Sequence, residues 1–202
     1  SVVVHHPFIV NPSANYLLIF NIKDSYLADL YDTPLSINSG EVKKQVELNG
    51  TVVWEEDILD GGDDWEQVVV DLEQWLYLLK AGSNQINTIT FSIAIPNPSD
   101  VLVEELRGLS VLIDDVYLKK FDSPENLILS GDIENLPNGG LSATGTPTEP
   151  WYFKNAITFN NCWTIEYAIN PITQLGIPAN VYSSIGSADR KSGSKSIILN
   201  LD

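Results

Sequence analysis

The sequence predicts an all-β protein, a sandwich of two antiparallel sheets. Three observations predict it. Apolar residues fall in short runs punctuated by turn residues, the pattern of strands. Asn49-Gly50, a strong hairpin signal, separates two such runs. No heptad pattern and no low-complexity tract interrupts the series.

The elements follow in chain order. The segment around His5, His6 and Pro7 reads as a strand. Tyr16–Lys23 (YLLIFNIK) reads as a buried strand. Val42–Leu48 (VKKQVEL) alternates more weakly, turns at Asn49-Gly50 and leads into Thr51–Trp54 (TVVW). Asp60–Asp64 (DGGDD) is a second turn, followed by a strand over Trp65–Leu72. Glu73–Lys80 (EQWLYLLK) is the one helix-like piece, a single turn before Gly82. Thr88–Ile95 (TITFSIAI) and Leu109–Leu118 (LSVLIDDVYL) are strands, the second interrupted by an acidic pair. Asn126–Leu129 opens a new run. Leu136–Pro150, rich in Pro, Gly, Ser and Thr, reads as a long loop. Trp163–Ile169 and Ser196–Leu201 are further strands. Short strands at this spacing imply two stacked sheets.

Composition narrows the function. A chain of 202 residues suits one large sandwich or two small domains. With 44% hydrophobic and 19% charged residues it has material for a core. A net charge of −16 repels nucleic-acid phosphates and anionic lipid heads and attracts divalent cations. Nucleic acid is therefore excluded as a partner. No apolar run is long enough for a membrane-spanning helix, so membrane insertion is not expected. Cys162 is the only cysteine, so no intrachain disulfide can form. It lies in an apolar run and reads as a buried, inert thiol, since a nucleophile needs a basic, partly exposed setting. Methionine is absent even at position 1, which reads as a mature secreted chain or an excised piece.

Two stretches carry a resemblance. Asn126–Glu134 (NLILSGDIE) resembles the opening strand of the galactose-binding-like jelly rolls found among carbohydrate-binding modules. Leu109–Leu118 resembles their closing strand and is the more specific match. SKSIILNLD (Ser194–Asp202), YLLIFNIK, TVVW and WEQVVVDLEQWL resemble the strands between. The resemblance is diffuse but covers most of the chain. It implies a jelly-roll β-sandwich that binds or builds and does not catalyse.

The order of the parts is rotated. The closing strand ends near residue 118, and the opening strand starts near residue 126. Joining Asp202 to Ser1 gives GSKSIILNLD-SVVVHHPFIVNPSANYLLIFNIK, which is similar to the family's continuous middle. Residues 122–202 thus read as the opening strands of one sandwich, and 1–121 as its later strands. The chain is a circular permutant, a piece of a tandem array, or a subunit completed by its neighbour. In the third case a terminal strand carrying Val2, Val3, Val4, Phe8, Ile9 and Val10 would pair with the next copy, as in donor-strand complementation. A head-to-tail contact that does not close gives a filament.

Candidate sites follow from residue chemistry. The resemblance places the opening and closing strands together, often around a structural calcium. Asp132, Glu134, Asp114 and Asp115 are the candidate Ca2+ ligands, since calcium takes several hard oxygens. Adjacent residues on a regular strand face opposite ways, so only one of Asp114 and Asp115 is expected to face a shared site. Asp60, Asp63 and Asp64 lack EF-hand spacing and read as a solvated turn. Sugar rings stack on exposed aromatics, and Trp151, Tyr152 and Trp163 are the candidates, while Trp54, Trp65 and Trp75 read as core. His5 and His6 are ordinary strand residues. Asn49-Gly50-Thr51 is an N-glycosylation sequon. No phosphate loop, Gly-x-Ser-x-Gly or His-Glu-x-x-His occurs, and no carboxylate pair stands out, so no enzyme is expected.

Two functions follow. The first is an extracellular or cell-surface structural subunit whose partners are copies of itself, joined head-to-tail. The second is a non-catalytic carbohydrate-binding module with a polysaccharide partner.

Overall fold

Asn49 and Gly50 both adopt left-handed backbone (φ 52° and 84°), the type I′ geometry that suits the twist of a two-residue hairpin. They join strand β3 (Lys43–Leu48) to β4 (Thr51–Asp57), as the sequence predicts. The structure is a computed structural model and describes residues 2–10, 14–26, 37–60, 64–80, 85–97, 109–128, 139–143, 155–159, 163–167, 181–186 and 196–201. The remaining strands are β1 (Val2–Phe8), β2 (Tyr16–Tyr26), β5 (Glu66–Asp71), β6 (Asn87–Ala94), β7 (Leu109–Lys120), β8 (Gly139–Ala143), β9 (Asn155–Phe159), β10 (Trp163–Tyr167), β11 (Val181–Gly186) and β12 (Ser196–Leu201). The helix-like piece is a 3₁₀ turn over Glu73–Leu78.

These strands form two six-stranded sheets. Sheet 1 runs β4-β3-β6-β1-β10-β9 and sheet 2 runs β5-β2-β7-β12-β11-β8. Every strand pair in them is antiparallel. The protein is an all-β sandwich.

The two-residue period of each strand aims one side chain in two at the core. In β2 these are Tyr16, Leu18, Phe20 and Ile22, in β6 Ile89, Phe91 and Ile93, and in β12 Ile197 and Leu199. Each such side chain contributes about 1.5–3 kcal/mol on burial. Phe20 of sheet 2 meets two rings of sheet 1 edge-on. Its centroid lies 5.1 Å from Phe91 and 5.4 Å from Trp54. Trp54 and Trp75 pack against the core, in line with the sequence reading.

The closing strand changes phase. Leu109, Val111 and Ile113 enter the core, then Val116 and Leu118. Across from it, Ile19 pairs with Tyr117 and Asn21 with Asp114, so Phe20 alone opposes Asp115 and Val116. This is a β-bulge, and Asp115 takes the left-handed backbone (φ 49°) that a bulge often gives to glycine.

One expectation is corrected. The loop read over Leu136–Pro150 contains β8, which pairs with β11. Backbone pairing with a neighbour, not side-chain pattern, makes a strand of the Gly-Gly-Leu-Ser-Ala run. β9 and β11 likewise lie where the sequence reading placed no strand.

The two halves interleave. Residues 1–121 supply β1 to β7, and 122–202 supply β8 to β12. Among the described strands they hydrogen-bond to each other along two seams, β1 with β10 in sheet 1 and β7 with β12 in sheet 2. At the crossover, Leu127 N donates to Leu118 O (2.7 Å), and Asn126 clasps β7 through Val116 O and Leu118 N. Ile128 is buried. The opening stretch therefore runs beside the closing strand at 126–128.

The packing makes a prediction. Phe20→Ala should cost about 3–5 kcal/mol in chemical denaturation. Val69→Ala, at a side chain 55% exposed on the outer face, should change stability by less than about 0.5 kcal/mol.

Candidate functional site

The bulge decides where the acidic pair points. Asn21 is out of phase with Phe20 and Ile22, so it lies on the outer face of sheet 2 with its register partner Asp114. Asn21 Nδ2 donates to Asp115 Oδ2 (3.1 Å), and Asp115 N donates to Asp114 Oδ1 (2.8 Å). Both carboxylates therefore gather on one side of the sheet around Asn21. The expectation that only one could face a shared site assumed a regular strand, and the extra residue of the bulge removes that alternation. Asp114 is fully buried there. Among the described residues no group of three His, Cys, Asp or Glu side chains is arranged to hold a metal. Asp132 and Glu134 lie outside the described residues.

A second group sits between the sheets, and sequence reading missed it. Val42, Lys44, Val46 and Leu48 share one face, so Lys44 points into the sandwich. Asp24 continues the inward series of β2. Glu56 lies directly across from Lys44 in the β3–β4 register, and Glu66 lies across from Ile22 in β5. Lys44 Nζ is 2.9 Å from Asp24 Oδ2, 2.5 Å from Glu56 Oε2 and 3.2 Å from Glu66 Oε1. It also lies 5.9 Å from the Trp54 ring centroid. Lys44 and Asp24 have side chains only 1% and 7% exposed, while Glu56 and Glu66 reach solvent at 27% and 32%.

Burial raises the Asp24 carboxyl to about 7, although the Lys44 ammonium opposes the rise. Burial works against the Lys44 ammonium, but hydrogen bonds to Glu56 and Asp24 outweigh it and hold its pKa above the usual value. Glu66 is raised, first by burial and then by its hydrogen bond with Glu56. Asp24 Oδ1 is buried with no hydrogen-bond partner among the described residues. The weak alternation of VKKQVEL was the signal, because a lysine occupies a position whose neighbours in phase are all apolar.

The predicted assembly strand has a place in the chain's own fold. β1, with Val2, Val3 and Val4, lies between β6 and β10. Phe8 and Val10 are core residues, whereas Ile9 is 52% exposed. Ile9 and Val10 line a pocket of about 210 Å³ with Tyr16, Lys120, Ser123, Glu125 and Leu127. His6 is buried in β1. Trp163 opens β10, and Trp151, Tyr152, Cys162 and Asp63 lie outside the described residues.

Asn49 is tied down by its side chain. Its Nδ2 donates to Leu78 O (2.8 Å) and Asn87 Oδ1 (2.9 Å), and its Oδ1 accepts from Thr88 N (2.9 Å). Asn87 extends the clasp to both backbone groups of Lys80. A glycan on Nδ2 would replace one of these two donated hydrogens, so the sequon position carries a structural load in the folded chain.

The chain matches no known family, no curated protein and no solved structure.

Asn49→Ala should cost about 2–4 kcal/mol, from three lost hydrogen bonds and a left-handed backbone that alanine disfavours. Asn49→Gly keeps the backbone geometry and should cost less, as measured by denaturant midpoints.

Proposed function

We propose that the chain is an extracellular structural subunit that assembles head-to-tail by exchanging half-domains, not an enzyme. The observation that carries the reading is the pair of seams. Each half supplies strands to both sheets, and each presents one strand edge per sheet to the other, β1 and β7 from the first half and β10 and β12 from the second. The β1–β10 and β7–β12 pairings can be made within one chain or between neighbours. Closed and exchanged forms bury the same apolar residues, such as Ile113 against Ile197 and Val111 against Leu199. They differ mainly in the entropy of the connection and in protein concentration. Each exchange is heterologous, so a series that does not close grows into a filament.

The rotated order of the jelly-roll-like stretches supports the same reading. The net charge of −16 opposes association of copies at low salt, and counter-ions or divalent cations relieve it.

Calcium is part of the proposal. The bulge gathers Asp114, Asp115 and the Asn21 carboxamide on one side of sheet 2, beside the seam with β12. Asp132 and Glu134 follow the stretch that clasps β7, and they would complete an oxygen-rich ligand set.

Two experiments test this. Ser110 and Asn200 are register partners across the β7–β12 seam. With Cys162→Ser, the pair Ser110→Cys and Asn200→Cys should oxidise into a ladder of covalent multimers when electron microscopy shows filaments. Oxidation only within single chains, at high protein concentration and with calcium present, would overturn half-domain exchange. Calcium should raise the melting temperature of the native chain, and chelation should reverse the rise. Asp114→Asn with Asp115→Asn should abolish the response, and a native chain indifferent to calcium would remove the metal from the proposal.

A further inference from the structure

The Lys44 cluster holds more carboxylate than an ion pair needs. One buried ammonium is neutralised by one carboxylate, yet Asp24, Glu56 and Glu66 all approach its nitrogen within 3.2 Å. The three are not equivalent. Asp24 is the most buried, comes from the opposite sheet and leaves Oδ1 without a hydrogen bond among the described residues. A carboxylate there is poorly served, whereas a neutral acid is not. Glu56 is the cross-strand neighbour of Lys44 and makes the shortest contact with Nζ. Glu66 reaches toward solvent, with Oε1 3.2 Å from Nζ.

This is the arrangement of a condensation site: an amine, a buried acid in contact with it, and a second carboxylate on the amine to move protons. We propose that Lys44 and Asp24 become joined by an intramolecular amide bond, with Glu56 as the catalytic base and acid. Glu56 takes a proton from the Lys44 ammonium. The freed lone pair attacks Cγ of the neutral Asp24 acid, forming the C–N bond. Glu56 returns that proton to the Asp24 hydroxyl, and the C–O bond breaks with release of water. The tetrahedral nitrogen loses its remaining extra proton to solvent through Glu66. Ammonium plus acid thus give one amide, one water and one proton, with no oxidant or reductant.

Two physical terms favour the product. Fixed reactants in contact reach effective molarities on the order of 10⁵ M or more, which offsets the unfavourable condensation of free amines and acids in water. The buried Lys44 ammonium also carries a desolvation cost, and the amide that replaces it carries no charge. Exclusion of water around side chains 1% and 7% exposed slows the reverse hydrolysis.

The bond would link β3 of sheet 1 to β2 of sheet 2. All four residues belong to 1–121, so the staple forms within that half whichever copy supplies β8 to β12. It does not depend on the assembly reading. With a single cysteine, the chain has no intrachain disulfide to serve the same end.

The test is the intact mass of the purified, denatured full chain, followed by peptide mapping. The expected mass is one water below that of the sequence, with a branched peptide joining the Asp24 and Lys44 segments. Asp24→Asn should lose ammonia in place of water. Lys44→Ala and Asp24→Ala should show their full masses. Glu56→Gln should be recovered uncrosslinked and convert about a hundredfold more slowly. Full mass in the native chain after prolonged incubation would overturn the proposal. So would a lost water that maps to a cyclised Asp60-Gly61 step with no branched peptide.

Discussion

A regular strand of a two-sheet sandwich sends one residue in two into the space between the sheets, and that space tolerates apolar groups or fully met polar ones. The aromatic contact of Phe20 with Phe91 and Trp54 shows the first solution. One ring from sheet 2 meets the edges of two rings from sheet 1 and fixes their separation and alignment. The cluster of Lys44, Asp24, Glu56 and Glu66 shows the second. A lysine in an inward phase is tolerable only because carboxylates from three other strands converge on it. Both groups lie in β2 to β6, the part of the chain whose side chains are described most fully.

β2, β6 and β7 carry strong apolar runs, and their existence and placement follow from pattern alone. The hairpin at Asn49-Gly50 was legible because two successive left-handed residues leave few choices of side chain. The second half is different. β8 has a single large apolar residue, Leu141, and its strand character comes from hydrogen bonds to β11. Such long-range pairing leaves no trace in a local window. The acidic pair was legible as chemistry but not as geometry, because an inserted residue in β7 breaks the parity from which side-chain direction is read. Lys44 was visible only as a blemish in an otherwise alternating run.

The two seams give the fold a modular character within one chain. On one side lie β4-β3-β6-β1 and β5-β2-β7, on the other β10-β9 and β12-β11-β8. The first group holds the aromatic contact, the charge cluster and the Asn49–Asn87 clasp. The second holds shorter strands. The polypeptide crosses between them at 121–128, where the side chain of Asn126 binds β7 before Ile128 enters the core. A connection anchored at that point lets the second group pack against its own chain without loosening the first.

The bulge at Asp115 has a consequence beyond the direction of two carboxylates. A plain strand can slip by two residues along its neighbour and still present apolar groups inward. β7 cannot, because its core residues sit in one parity before Asp115 and in the other after it. A slip would bring the phase change against a continuous stretch of β2 and force Asp115 or Tyr117 toward the core. The strand that lines both β2 and β12 thus works like a notched key, accepted at one depth only. Copies laid end to end through this strand would all share one spacing, and their periodicity would be a property of a single left-handed residue.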